Sequence, residues 1–318
     1  MSSKLRKELS ERVVADAGEV AFVVHSEVVG PIREMTFLQR ALLFAELSMI
    51  AYNDPAETRR AAKLAGFTKT IFYDHTGTQA YQYSNRWDRV IACRGTEPNE
   101  WNDIHADANA ASVLAETVGK VHRGFKREVD DLWPMLEEAI VGSEKPLWFC
   151  GHSLGGAMAT ICSSRCFLSH IDPNPEQLYT YGSPRVGDNT YINHVKLEHF
   201  RFVNNNDIVT RVPPLLFGYR HGGSEIYINR NGYIRKLGQL MKRRDRFKGF
   251  IDGIFKGKID HFQDHSIHNY IDALQRAVET EHKKLKRGGK SKTGRQYATD
   301  EDEREAVAEP ADKTSEKA

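Results

Sequence analysis

The sequence predicts an α/β fold with a mostly parallel central sheet flanked by helices. Three observations carry that expectation. Short apolar strand-like runs alternate with helical stretches between residues 71 and 278. One run, Pro146-Leu147-Trp148-Phe149-Cys150, passes through Gly151-His152-Ser153-Leu154-Gly155-Gly156 directly into a helix of small residues. Thr96, Ser153 and Asp207, all able to do chemistry, fall just after strands, where open parallel sheets collect their sites.

Thr36–Tyr52 reads as a strongly apolar helix. Ile71-Phe72-Tyr73 and Ala80–Tyr83 are strands around the turn Asp74-His75-Thr76-Gly77. Arg89–Arg94 is a buried strand running into Gly95-Thr96, and a polar, then alanine-rich stretch fills 97–116. Phe125–Ile140 is an amphipathic helix with Val129, Leu132, Met135 and Leu136 on one face, and Pro134 is expected to kink it. The strand at 146–150 and its helix follow. Gln177–Tyr181 and His199–Val203 are strands; the second ends in Asn204-Asn205-Asn206-Asp207. Ser224–Asn229 is a late strand and Asp264–Val278 the last helix.

Between them, Arg235–Lys258 carries nine lysines and arginines against two acids, Asp245 and Asp252. Phe247, Phe250, Ile251, Ile254 and Phe255 follow helical spacing there, so the segment reads as a basic amphipathic helix interrupted by Gly249, Gly253 and Gly257. The expected domain layout is an N-terminal extension over 1–35, one domain over 36–282, and a charged tail over 283–318. That tail runs from a basic stretch to the acidic Asp300-Glu301-Asp302-Glu303 with few large apolar residues, a composition expected to stay disordered.

At 318 residues, 40% hydrophobic and 28% charged, the chain can bury a large core and fits a soluble protein. A net charge of +2 gives no global attraction to nucleic acid, so no such partner is expected. Nothing in the chain sets an oligomeric state. Cys93 and Cys150 lie in strand patterns, and Cys162 and Cys166 sit four apart on a helix. All four read as buried hydrophobes in a reducing compartment rather than a disulfide framework. Val20–Val24 is too short for a signal peptide, and no run reaches the ~18 to 20 apolar residues of a membrane span. A cytoplasmic protein, or one exported without a recognisable signal peptide, is expected.

Gly151, Ser153 and Gly155 form G-x-S-x-G, the nucleophile-elbow pattern. A serine on a sharp strand-to-helix turn exposes its hydroxyl, and only small neighbours let strand and helix approach so closely. The helix start adds backbone N–H groups that can hold an oxyanion. A serine nucleophile needs a base and an orienting acid, in this architecture in the order Ser, Asp or Glu, His. Asp207, in a polar loop after a core strand, and His265, just before the last helix, satisfy the order. His261, His265 and His268 also stand at i, i+4, i+7 near Asp260 and Asp264, a spacing that could hold a metal, but there is no H-E-x-x-H.

Beyond these patterns the chain resembles the fungal-type, or class 3, lipase family of α/β-hydrolases. The resemblance runs from about Ala45–Tyr52 to Leu274. It includes Arg94-Gly95-Thr96, Trp101 with Asp103, Val121-His122-Arg123-Gly124-Phe125, Gly151–Gly156 and Tyr181–Asp188, then Asp207–Pro214, His221-x-Gly223-x-Glu225 and Asp264-His265. By motif position it implies Ser153 as nucleophile, Asp207 as acid, and His265 rather than His268 as base. Thr96 and the backbone N–H of Leu154 fall where the family holds the oxyanion. The implied reaction is hydrolysis of an acylglycerol ester through an acyl-enzyme, with neither metal nor organic cofactor. Phospholipase A or soluble-ester carboxylesterase activity is the neighbouring alternative, since members of such a fold differ more in pocket than in catalytic groups. A catalytically silent lipid- or protein-binding module is the non-enzyme alternative, and it has no need of Ser153, Asp207 and His265. Residues 97–116 fill the place of the family's lid. The segment 235–258 departs from the fungal members, and its basic face is expected to contact anionic lipid surfaces.

Overall fold

The computed structural model describes residues 12–13, 23–95, 111–238, 240–246 and 263–298. Seven strands build the central sheet: β1 (Lys69–His75), β2 (Thr78–Ser84), β3 (Arg89–Cys93), β6 (Leu147–His152), β7 (Gln177–Tyr181), β8 (His199–Asn204) and β9 (Ser224–Ile228). A separate short hairpin holds β4 (Ser112–Leu114) and β5 (Lys120–His122). In space the sheet runs β9-β8-β7-β6-β3-β2-β1. Neighbours from β9 to β3 are parallel, and β2 and β1 extend the sheet antiparallel. Thr76 and Gly77, both at positive φ (53° and 89°), make the two-residue turn joining β1 to β2.

Both faces of the sheet are covered, which is why its central strands read as continuous apolar runs. Trp148 and Cys150 point into one core with Tyr179, Tyr181, Phe200 and Phe202; Leu147 and Phe149 point into the other with Ile91 and Cys93. Helix α1 (Phe37–Ile50) fills the first core together with the last long helix, α6 (Ile267–Lys286). Thr36 starts α1 with a capping box: its hydroxyl accepts from Gln39 N–H, and the Gln39 side chain accepts from Thr36 N–H. A second helix, α2 (Pro55–Leu64), begins at the cap Asp54, whose carboxylate accepts from Ala56 and Glu57 N–H. The other core holds α3 (Arg123–Val141) and α4 (Leu154–Leu168). Helix α3 continues through Pro134, which lies on its exposed side, and Trp133 joins Val129, Leu132 and Leu136 on the buried face. Two short helices, α5 (Asn189–His194) and α7 (Gly294–Tyr297), lie outside these cores' main helices.

The chain enters the first core before residue 36, through Val24, Val28 and Ile32. Two buried carboxylates pin this leading segment. Asp88 accepts from Ile32 N–H (2.8 Å) and Trp148 Nε1–H (2.9 Å). Glu46, on α1, accepts from His25 N–H (2.7 Å) and Ser26 N–H (3.0 Å). Burial pushes the Glu46 carboxyl up to about 7 despite those bonds. A carboxyl whose pKa is raised by folding binds its proton more tightly in the native state, so stability falls as pH rises. The loss begins above the ordinary value of 4.5 and is complete above about 7. The expected size is on the order of 3 kcal/mol. Glu46→Gln should flatten this part of the stability–pH curve in denaturant titrations; an unchanged slope would show that Glu46 does not carry it.

The expected boundary at residue 283 falls within helix α6. Helix α6 continues to Lys286, and the chain then folds back so that Gly294 sits against Phe37 and Phe200, where a Cβ would come within 2.3 Å of the Phe200 ring. Tyr297 stacks on Phe37 at 5.5 Å, and Ala298 is buried. One glycine, one tyrosine and one alanine dock this end, too few to register as an apolar run. Residues 299–318 lie outside the described residues.

The basic segment is corrected at one position. Lys242, in the helical stretch 240–246, is 1% exposed and gives its ammonium to Glu225 at 2.7 Å. Glu225 also pairs with Arg201 at 3.3 Å, and the two cations hold its carboxyl below the usual range against the effect of burial. Lys242 is therefore an internal ion-pair partner rather than a lipid-facing charge. Arg243 and Arg244 are exposed; Phe247–Phe255 lies outside the described residues. No described helix is long and apolar enough to cross a membrane. All four cysteines are buried free thiols.

Candidate active site

The parallel register brings strand ends together. Cys93 pairs with Gly151, His152 with Tyr181, and Tyr181 with Phe202. Ser153 stands where β6 passes into α4, with φ 60° and ψ −131°, a conformation rare for a residue with a side chain. Its N–H donates to the Tyr181 carbonyl (3.0 Å) and its carbonyl accepts from Gly156 N–H (2.9 Å), which fix the turn. A Cβ on Gly151 would lie 2.2 Å from the Gly155 carbonyl oxygen, and one on Gly155 would lie 2.2 Å from that of Cys93. Both glycines are thus required by backbone contact.

His265 closes a 3-10 turn (Gln263–His265) just before α6. Its Nε2 is 2.7 Å from Ser153 Oγ, and its Nδ1 is 2.9 and 3.0 Å from the two Asp207 oxygens. Ser153, Asp207 and His265 are all buried. The Asp207 carboxylate accepts two further bonds: from Val209 N–H on Oδ1 (2.9 Å) and from Tyr270 O–H on Oδ2 (2.5 Å). The Tyr270 hydroxyl accepts in turn from Asn204 N–H at 3.1 Å. A carboxylate accepting from Nδ1 assigns the proton to that nitrogen, which leaves the Nε2 lone pair facing the Ser153 hydroxyl.

A second layer holds the histidine in place. His152 Nε2–H donates to the His265 carbonyl at 2.7 Å, so its Nδ1 accepts from the Tyr52 hydroxyl at 3.0 Å. Burial, and then the neighbouring His265, push the His152 pKa well down, so it remains a neutral strut. Its ring lies 4.6 Å from that of His265. Asn204 Nδ2–H donates to the Asp264 carbonyl (2.9 Å), and the Asp264 carboxylate accepts from Asn206 N–H (3.2 Å). These bonds tie the turn carrying the histidine to the loop carrying the acid. Asn206 Nδ2–H also donates to the Arg246 carbonyl (3.0 Å), which attaches the basic helix to the same loop.

The other sequence candidates separate clearly. His268 is exposed, and its ring nitrogen lies 3.4 Å from the Ser266 hydroxyl. His261 and Asp260 lie outside the described residues; among the described residues, no histidine, cysteine and carboxylate side chains gather in a metal-binding group. Leu154 opens α4, in the first turn, whose amides have no acceptor within the helix. Thr96 lies outside the described residues, as do Trp101, Asp103 and residues 97–110 of the expected lid. Within the rest of that segment, Ser112–Leu114 forms β4, where Leu114 is exposed. Sequence reasoning passed over Tyr52, His152, Asn204 and Tyr270. It also passed over Leu215-Leu216-Phe217, a 3-10 turn on the loop after Asp207 whose side chains are 54%, 91% and 55% exposed.

Known proteins resemble this chain in sequence and in fold. The model of the class 3 lipase family matches residues 90–217. The secreted mono- and diacylglycerol lipase 1 of Fusarium solani is 36% identical over 165 residues, covering 48% of each chain. The lipase of Rhizomucor miehei is 34% identical over 174 residues, covering 51% of this chain and 47% of its own. The chain therefore spans less than half the length of either relative. The solved triacylglyceride lipase of Rhizomucor miehei superposes with a TM-score of 0.52 at 24% identity, over 60% of this chain and 80% of that one, which shows the α/β-hydrolase fold.

Proposed function

We propose that this chain, whose residues 90–217 match the class 3 lipase family, is a serine hydrolase of acylglycerol esters. The observation that carries the reading is the continuous hydrogen-bonded line from Ser153 Oγ through His265 to Asp207. In the first step His265 Nε2 takes the Ser153 proton as Oγ attacks the ester carbonyl. The tetrahedral oxyanion is held by the Leu154 N–H and by Thr96, the loss of one such donor costing roughly 100- to 1000-fold in kcat. His265 then protonates the leaving alcohol. Water, deprotonated by the same nitrogen, releases the fatty acid and restores Ser153. Asp207 keeps Nδ1 protonated and stabilises the imidazolium at both stages.

Contact with a lipid surface fits two described faces. Leu215, Leu216 and Phe217 stand clear of the domain beside Arg220, whose guanidinium donates to the Leu215 carbonyl at 3.1 Å. On the basic helix, Leu240 and Met241 are exposed beside Arg243 and Arg244. Apolar tips flanked by arginine suit an anionic interface. The unpaired cysteines support a compartment in which disulfides do not form.

One assay panel tests both parts. Mono-, di- and triacylglycerol emulsions, phospholipids and p-nitrophenyl esters are offered to the wild type and to Leu216→Glu/Phe217→Glu. Acylglycerols should be cleaved, and the double variant should lose on the order of 100-fold on emulsions, the apolar contribution of two buried tips at about 1.5 kcal/mol each, with soluble-ester turnover unchanged. Cleavage of phospholipid alone would overturn the acylglycerol assignment, and absence of turnover on every ester would favour a binding module. Equal emulsion rates would remove the Leu215–Phe217 contact.

A further inference from the structure

Away from the catalytic line, three segments enclose a cleft of about 340 Å³. One is the chain leaving β9, which brings Arg235. The second is the C-terminal half of α6, which brings Arg276 and Lys284. The third is the return toward α7, which brings Lys290 and Lys292. The acid in the wall is Glu281, and its carboxylate is already engaged, accepting from the Thr36 hydroxyl (2.6 Å) and the Ser291 hydroxyl (2.5 Å). The cleft is therefore strongly positive, and a concave, low-dielectric wall focuses that field.

Its floor has the opposite character. Leu38, Ile234, Ala273 and Ala277 line it, with Tyr233 and Tyr297 at the sides. The aromatic rings also position the cations. The Arg235 and Arg276 guanidinium groups lie 5.6 and 5.9 Å from the Tyr233 ring centre, and the Lys292 ammonium 5.4 Å from that of Tyr297. Lys284 Nζ donates to the Lys290 carbonyl at 2.7 Å, which ties the return segment to α6.

We infer that this cleft binds the phosphate of an anionic amphiphile, with the phosphate among the Arg235, Arg276 and lysine side chains and the adjoining glycerol or acyl carbons on the apolar floor. A single carboxylate would leave most of this positive charge unanswered, whereas a phosphate accepts the forked N–H groups of two guanidiniums and further ammonium donors. A cleft this small suits one headgroup rather than the extended stripe that a nucleic-acid backbone needs. The site is separate from the reaction centre, since Arg276 and Lys284 lie roughly 15–30 Å along α6 from His265. The inference does not depend on the hydrolytic reading.

The test uses the full chain and two probes, phosphatidylcholine vesicles containing a minor fraction of phosphatidic acid, and glycerol 3-phosphate in solution. Binding is measured by sedimentation and by titration calorimetry. Arg276→Gln/Lys292→Gln should weaken vesicle binding by about 25-fold, about fivefold for each cation removed. Arg59→Gln/Arg60→Gln, which removes two exposed cations from α2, should leave it nearly unchanged. An equal melting temperature in all variants reports an intact fold independently of any activity. If glycerol 3-phosphate binds with the same dependence on Arg276 and Lys292 and displaces the protein from vesicles, the same cleft also accepts free phosphate esters. Binding to vesicles alone makes a membrane lipid the source. Equal losses in both double variants would reduce the cleft to diffuse surface charge and overturn the site, as would wild-type affinity in Arg276→Gln/Lys292→Gln or a wild type that binds neither probe.

Discussion

Ser153→Ala is expected to lower kcat/KM on every ester by roughly 10⁴- to 10⁶-fold, leaving only what oxyanion donors and binding provide. The variant lacks the single oxygen that His265 Nε2 faces at 2.7 Å, so no acyl-enzyme can form. Labelling by a fluorophosphonate should vanish with it. The fold should persist, because the turn is fixed by backbone bonds from Ser153 to Tyr181 and Gly156 and by the two close-packed glycines, none of which uses the hydroxyl. An unchanged melting temperature with lost labelling is the expected pair of results. Near-wild-type hydrolysis in purified Ser153→Ala would remove the nucleophile, and with it the proposed function.

Asp207→Asn should cost about 10⁴-fold in kcat at neutral pH, with a smaller effect on KM. The side chain keeps its shape but no longer accepts everywhere. Val209 N–H, Tyr270 O–H and His265 Nδ1 all approach Asp207, and an amide can turn only one oxygen toward them. If the amide nitrogen faces His265, Nδ1 must become the acceptor and the proton moves to Nε2. The imidazole then meets Ser153 with an N–H instead of a lone pair. Tyr270→Phe removes one donor and leaves the tautomer intact, so a loss of about tenfold is expected. Kinetics on one soluble ester distinguish the two; an Asp207→Asn enzyme no worse than Tyr270→Phe would show that the carboxylate does not set the tautomer.

What could be read from the chain alone was what local spacing records. Gly151-x-Ser153-x-Gly155 encodes a contact between residues a few positions apart, and the apolar runs encode burial on both sheet faces. Asp207 and His265 emerged from chain order and strand-end placement. Their supports did not, because each lies far away in sequence. Tyr270 reaches Asp207 across 63 positions, and Tyr52 reaches His152 across 100. Lys242 looked like one charge in a basic run, since its partner Glu225 belongs to another element. Helix α2 did leave a local signal, the cap Asp54 followed by Pro55 at the first helical position, and that signal was passed over.

The position of His265 also bears on when activity arises during synthesis. The segment shared with the lipase family, 90–217, includes the serine and the aspartate but ends before the histidine. The base, and the Tyr270 that braces the acid, both arrive with the last long helix. A nascent chain emerges N-terminus first. Until the residues around 265 to 270 have left the ribosome and packed against α1, the serine has no partner to take its proton. A chain terminated before Gln263 is therefore expected to be inert toward esters even if its sheet forms, so any cleaving power waits on residues made well after the serine.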